Sequence, residues 1–135
     1  MYTEIRWQQR WQNFSKAYLL LQRIVQQDSR SEAEQMGLIQ CFEMCFELSW
    51  KLMKDYLELE GYQIKGPRDT IKHALQNNLI QNGRIWLEAL ENRNNTVHTY
   101  NAKIAQAIEY KIVHDYSKMF TEIYSLFKDK INEEK

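Results

Sequence analysis

A single proline and four glycines interrupt 135 residues, far fewer turn formers than the short strands of a sandwich or barrel require. The two cysteines exclude a disulfide scaffold, because Cys41 and Cys45 lie one turn apart on one predicted helix, where side chains run parallel and an unstrained bridge does not form. They read as buried thiols of a reducing compartment. Neither charge sign is in excess, with 18 Lys plus Arg against 18 Asp plus Glu, so no global field draws in nucleic acid or a membrane surface. Any anion must be bound locally. No apolar run is long enough to span a bilayer. The first ten residues are polar and charged, so neither a secretory signal nor a membrane partner is expected and the expected location is cytoplasmic. His73 and His114 stand far from one another and from any Cys or Glu at ligand spacing, and neither H-E-x-x-H nor paired C-x-x-C occurs. No metal site and no cofactor are expected.

What is present is apolar and periodic. An apolar fraction of 44%, with four Trp, eight Tyr and five Phe, argues for a packed chain rather than a disordered one. The length fits one domain over residues 1–135 with one core. Trp7, Trp11, Phe14, Tyr18, Leu21 and Val25, widened by Leu20 and Ile24, form the stripe of a first helix. Its aromatic loading implies several partners within the subunit, or contact with another one. Gln26 to Arg30 is a polar connector. Ser31-Glu32-Ala33-Glu34 has the form of a capping box and starts a second helix. That helix is apolar round much of its circumference, is central to a bundle, and stops near Glu60 because Gly61 follows. Glu47 and Lys51 are placed to pair on its polar face. Pro67 opens a short third helix whose buried side is Ile71, Ala74 and Leu75. Asn77-Asn78 and Asn82-Gly83 bracket a turn, a fourth helix carries Ile85, Trp86, Ala89 and Leu90, and Asn101 caps a long last helix. Its stripe is Ile104, Ile108, Ile112, Tyr116, Met119, Ile123 and Leu126, and the charged tail from Lys128 is expected to fray. The fold class is therefore all-α, an up-and-down bundle of four to five helices.

Glu91 to Tyr100 departs from this pattern. Apolar periodicity gives way to a permanent cation, Arg93, an imidazole, His98, the amides of Asn94 and Asn95, and the phenol of Tyr100. On a continuous helix Arg93 and His98 are about 140° apart and Arg93 and Tyr100 about 20°, so a long guanidinium, an imidazole and a phenol share one cleft if the helix persists. The plainer alternative is a solvated helix end, where the helix dipole favours His98. No D-x-D pair exists to hold divalent cations, so the chain by itself is not a metal-dependent nucleotidyltransferase.

Several separated blocks carry a resemblance: Ile39-Gln40-Cys41-Phe42-Glu43, Phe46-Glu47-Leu48-Ser49-Trp50-Lys51, Lys54-Asp55-Tyr56-Leu57, Gly66-Pro67-Arg68-Asp69, Trp86-Leu87, and Arg93-Asn94 through His98-Thr99-Tyr100. In this order they resemble the nucleotidyltransferase substrate-binding protein family, part of the wider HEPN helical domains, whose bundle is similar to the C-terminal domain of kanamycin nucleotidyltransferase. The resemblance covers Phe14 to Tyr116. It implies a homodimer that works with a separate minimal nucleotidyltransferase, up to a heterotetramer. In related pairs the helical subunit is a toxin and the transferase its antitoxin. By that analogy Arg93 and His98 form a metal-independent endoribonuclease site at the dimer interface, with Asn94 and Asn95 orienting the imidazole or holding RNA. Tyr100 falls on the R-x4-H-x-Y tyrosine to which, in some members of the family, the partner adds AMP.

Three functions stay open on the sequence: a ribonuclease silenced by its partner, a non-catalytic module that positions a substrate or nucleotide for the transferase, and a scaffold. The cluster of Arg93, His98 and Tyr100 motivates the first, and the balanced charge, which offers little general grip on RNA, motivates the second.

Overall fold

The computed structural model describes residues 2–134, with side chains from residue 6. Among these residues there is helix and no strand. The elements are α1 (Tyr2–Val25), α2 (Glu32–Leu59), α3 (Pro67–Gln76), α4 (Gly83–Asn95), a 3-10 turn (Thr96–His98), α5 (Ala102–Lys111) and α6 (Ser117–Glu133). A π-helical turn, Ile112–Tyr116, joins α5 to α6 without a break. These make five rods, as the all-α reading requires.

Local chemistry sets the boundaries. Ser31 Oγ accepts from the amide of Glu34 at 3.1 Å, and the Glu34 carboxylate accepts from the amide of Ser31 at 2.8 Å, closing the expected capping box. Gly61, at φ 104°, takes the left-handed conformation that ends α2. Pro67 opens α3, and Asn78, at φ 61°, turns the chain after it.

α2 is the central rod and packs against α1, α3, α4, α5 and α6. Leu38, Phe42, Cys45, Phe46, Leu52, Met53 and Leu57 are fully buried. The aromatic stripe of α1 faces inward: Trp7 meets Tyr56 and Phe127, Trp11 meets Tyr124, and Tyr18 stacks on Tyr124 at 4.4 Å. Such pairs add directional packing to the area they bury. Cys41 and Cys45 are free and buried. The hydrogen bond to Cys41, then burial, pushes the Cys45 thiol well above its ordinary range.

Three expectations need correction. Leu75 is 43% exposed rather than buried. α3 ends at Gln76, and after the turn it is Ile80 that enters the core. From Lys128 to Glu133 the chain is helical rather than frayed, held by buried Phe127 and by Lys130, whose ammonium donates to the Tyr56 hydroxyl at 3.1 Å, while Lys135 lies outside the described residues. The stripe of α6 passes through Phe120 and Phe127 and leaves Leu126 half-buried. The π turn is the reason. Steps of four from Ile104 through Ile108, Ile112, Tyr116 and Phe120 drift by about 40° each on an α-helix, and the widened turn takes up that drift.

Candidate active site

α4 delivers Arg93 and Asn94 in its last turn and then stops. The Thr96 hydroxyl donates to the carbonyl of Arg93 at 2.7 Å and the Thr99 hydroxyl to that of Thr96 at 2.8 Å, so the side chains of this segment satisfy the carbonyls a helix end leaves open. The amide of Asn101 donates to the carbonyl of His98 at 3.0 Å. Asn101 Oδ1 then accepts from the amides of Lys103 and Ile104, at 2.9 and 3.3 Å, to start α5. Thr96 is the buried anchor of the turn, while Val97 and Tyr100 are 72% and 84% exposed.

This geometry divides the expected constellation in two. Arg93 is half-buried: its guanidinium forms an ion pair with Glu47 of α2, lies 5.9 Å from the Phe46 ring, and donates to Asn94 Oδ1 at 3.1 Å. His98 and Tyr100 form the second group, edge to face with ring centroids 6.0 Å apart. Among the described residues no hydrogen bond joins the two groups, and the Asn95 side chain makes none. The alignment of Arg93 with Tyr100 expected on a persisting helix does not apply, because α4 ends at Asn95 and a 3-10 turn re-aims the residues beyond it.

Glu47 is the residue that the sequence left out of the site. Its spacing to Lys51 is real, at 3.7 Å, but the same carboxylate also takes Arg93 from 46 residues further along the chain. A carboxylate shared by two cations holds the guanidinium at a fixed place over an aromatic face.

Behind the turn, a hydrogen-bond network ties α4 to the π turn. Asn92 Nδ2 donates to the Tyr116 hydroxyl at 2.6 Å, and that hydroxyl donates to Glu88 Oε1 at 2.8 Å. Lys111 bridges Glu88 and Asp115, at 2.7 Å each. Burial, then the Glu88 carboxylate, pushes the Tyr116 phenol well up, while Lys111 and then Tyr116 hold the Glu88 carboxyl below its usual range. A neutral phenol thus stays a donor beside Arg93's turn.

On the other side Tyr100 borders a polar hollow of 360 Å³ together with Arg30, Ser31, Gln35, Thr99 and Gln106. Glu109 organises it, accepting from Arg30 at 2.6 Å and from Gln35 at 2.9 Å. Burial raises the Glu109 carboxyl, but these two hydrogen bonds outweigh it and leave the group lowered. No group of three His, Cys, Asp or Glu side chains among the described residues is placed to hold a metal ion. No helix among them is long and apolar enough to cross a membrane.

The family described as "nucleotidyltransferase substrate binding protein like" matches residues 9–129. The chain belongs to that family. Two solved structures share the fold of this substrate-binding family member. One, from Thermus thermophilus, is 31% identical, covers 83% of this chain and 96% of its own, and superposes with a TM-score of 0.77. The other, from Haemophilus influenzae, is 26% identical over 87% of this chain and 98% of its own, with a TM-score of 0.78. That structure is described as revealing the fold of a substrate binding domain of a nucleotidyltransferase. A curated Haemophilus influenzae protein named "Probable ribonuclease HepT" is 35% identical over 77 residues, 53% of this chain and 53% of its own. The match therefore spans about half of that relative's length.

Proposed function

We propose that this chain is the helical HEPN subunit of a two-component system with a minimal nucleotidyltransferase, and that it acts as a metal-independent endoribonuclease toxin through Arg93 and His98 at a homodimer interface. The observation that carries the reading is the single exposed turn on which α4 ends, where an anchored guanidinium and an exposed imidazole stand five residues apart. The name of the curated relative points the same way.

The chemistry needs little more. In RNA the ribose 2′-hydroxyl attacks its own phosphorus, the 5′-oxygen of the next nucleotide leaves, and a 2′,3′-cyclic phosphate remains. His98 takes the hydroxyl proton, and the departing 5′-oxygen takes one from solvent water. Arg93, planar and permanently charged, pairs with the non-bridging oxygens as negative charge builds on them. Asn94 and Asn95, which make no hydrogen bond to His98, hold sugar and phosphate.

Pairing of two copies is supported by the outward stripe of α2. Met36, Gln40, Met44 and Glu47 share one face at helical spacing, and Met36 and Met44 are each 46% exposed. Gly37 lies beside them with open space where a Cβ would be. A mid-helix glycine costs about 1 kcal/mol against alanine, and a close approach by a second backbone is a reason to keep one. Docking on this stripe brings two copies of the Arg93 turn towards each other.

Tyr100 is the control point. Its phenol oxygen, giving up its proton to solvent, attacks the α-phosphorus of ATP in the transferase site and pyrophosphate leaves, which sets a bulky anion beside His98 and blocks the site. The test uses the chain purified without the transferase. RNA is cut in EDTA to cyclic-phosphate ends, and His98→Ala abolishes cutting. Persistent cleavage by that variant refutes the assignment.

A second reading is a non-catalytic substrate- or nucleotide-binding subunit of a nucleotidyltransferase complex, which the description of the Haemophilus influenzae structure favours. Absence of cleavage together with a stable complex with the transferase selects it.

A further inference from the structure

α3 and the first turns of α4 leave between them an open groove of 480 Å³. Ile71, Leu75 and Leu87 form its floor, and Leu75 is a leucine at helical spacing that the core does not use, 43% exposed. Gly83 lets Leu75 lie there: a Cβ at that position would come within 3.2 Å of Leu75 Cδ2. Arg68, Lys72 and Arg84 stand round the floor and are exposed, and no carboxylate lines the groove. None of the three is ion-paired among the described residues. Asp69, next to Arg68 in the chain, is turned to the amide of Lys65 at 3.0 Å and to His73 at 3.4 Å.

In a chain with no net charge, three unneutralised cations about an apolar floor form a local field with a shape. A nucleotide does not fit it well. No aromatic ring in the lining stacks a base, and no amide, hydroxyl or carboxylate side chain reads a base edge. A free phosphate covers none of the floor. An amphipathic helix with a short apolar ridge flanked by Asp or Glu covers both features, in the manner of helix-in-groove recognition.

We propose that the α3–α4 groove is a docking site for an acidic amphipathic helix of a partner protein, read by Leu75 and Leu87 on the floor and by Arg68, Lys72 and Arg84 at the rim. Arg84 and Arg93 are nine residues apart on α4, about 13 Å along its axis, so the groove lies at the opposite end of that helix from the exposed turn. A partner held there leaves the Arg93 turn uncovered, and the proposal stands whether or not the chain cleaves RNA.

The probe is a fluorescein-labelled model helix with Leu at i, i+3, i+4 and i+7 and Glu on its flanks, titrated with the full chain by fluorescence anisotropy. The expected result is saturable binding that weakens as salt rises. R68E combined with R84E weakens it by about tenfold or more, and Leu75→Gln weakens it as well. A control peptide with Gln in place of each Leu does not bind, and ATP does not displace the probe. All three substituted residues are exposed, and circular dichroism melts check that the variants remain folded. Equal binding of the Gln peptide, displacement by ATP, unchanged affinity in the variants, or no binding to the unmodified chain overturns the proposal.

Discussion

Glu47 sits where two cations share one carboxylate, and its role is to fix Arg93 rather than to react. Glu47→Gln removes the charge and keeps the shape. On the proposed ribonuclease reading, the expected outcome is a single-turnover cleavage rate lower by up to about a hundredfold, the scale of a misplaced catalytic group, with RNA affinity little changed. Equal losses in rate and affinity would mean that Glu47 contacts RNA instead. The chemical types at Arg93, Asn94, His98 and Tyr100 were legible in the sequence because a cluster of capable side chains breaks an apolar pattern. Their division into two groups was not, since it depends on α4 stopping at Asn95. The Arg93 to Glu47 pairing is tertiary, and a local partner, Lys51, already accounted for that carboxylate. At the same scale, Glu88 and Glu109 both have folded-state values below the ordinary carboxylate range. Their contribution to stability is therefore present above about pH 4.3, the unfolded value, and is lost as pH falls through the lowered folded values. Thermal melts of Glu109→Gln should show a shallower loss of stability on acidification than the unmodified chain.

The starts of the helices were the most legible elements, because each is signalled by side chains close in sequence. Ser31 with Glu34, Pro67, and Asn101 all act where expected. Ser31→Ala should destabilise the chain by about 1 kcal/mol, read as a lower denaturation midpoint at unchanged slope; a change in slope would point to altered compactness instead. The ends and the interruption were harder. Charge at Lys128 to Lys135 suggested fraying, yet one aromatic residue, Phe127, and the Lys130 contact with Tyr56 keep α6 formed. The π turn left a trace in the four-residue steps after Ile104, which a regular helix cannot keep on one face.

For the molecule as a whole, the order of rods and the central place of α2 followed from periodicity, because a helix apolar nearly all round has to be enclosed. The outward face used in the proposed pairing did not follow, because Met36 and Met44 resemble core residues until the bundle leaves them outside. Met44→Asp should convert a dimer to a monomer in sedimentation velocity and make the melting temperature lower and independent of concentration, since pairing stabilises the folded chain by mass action. A chain that is monomeric at every concentration before substitution would end the pairing scheme and, with it, the interfacial site.

The turn at Ile112–Tyr116 also makes the bundle unequally sensitive to length. It holds slack, so a one-residue deletion at Val113 can be absorbed by tightening the helix there, with the remainder of the rod keeping its heading. The same deletion at Lys118 has no slack to draw on and swings Phe120, Ile123 and Phe127 by about 100°, out of the core they now fill. Melting curves of the two deletions should differ accordingly, the first retaining a cooperative transition and the second losing it.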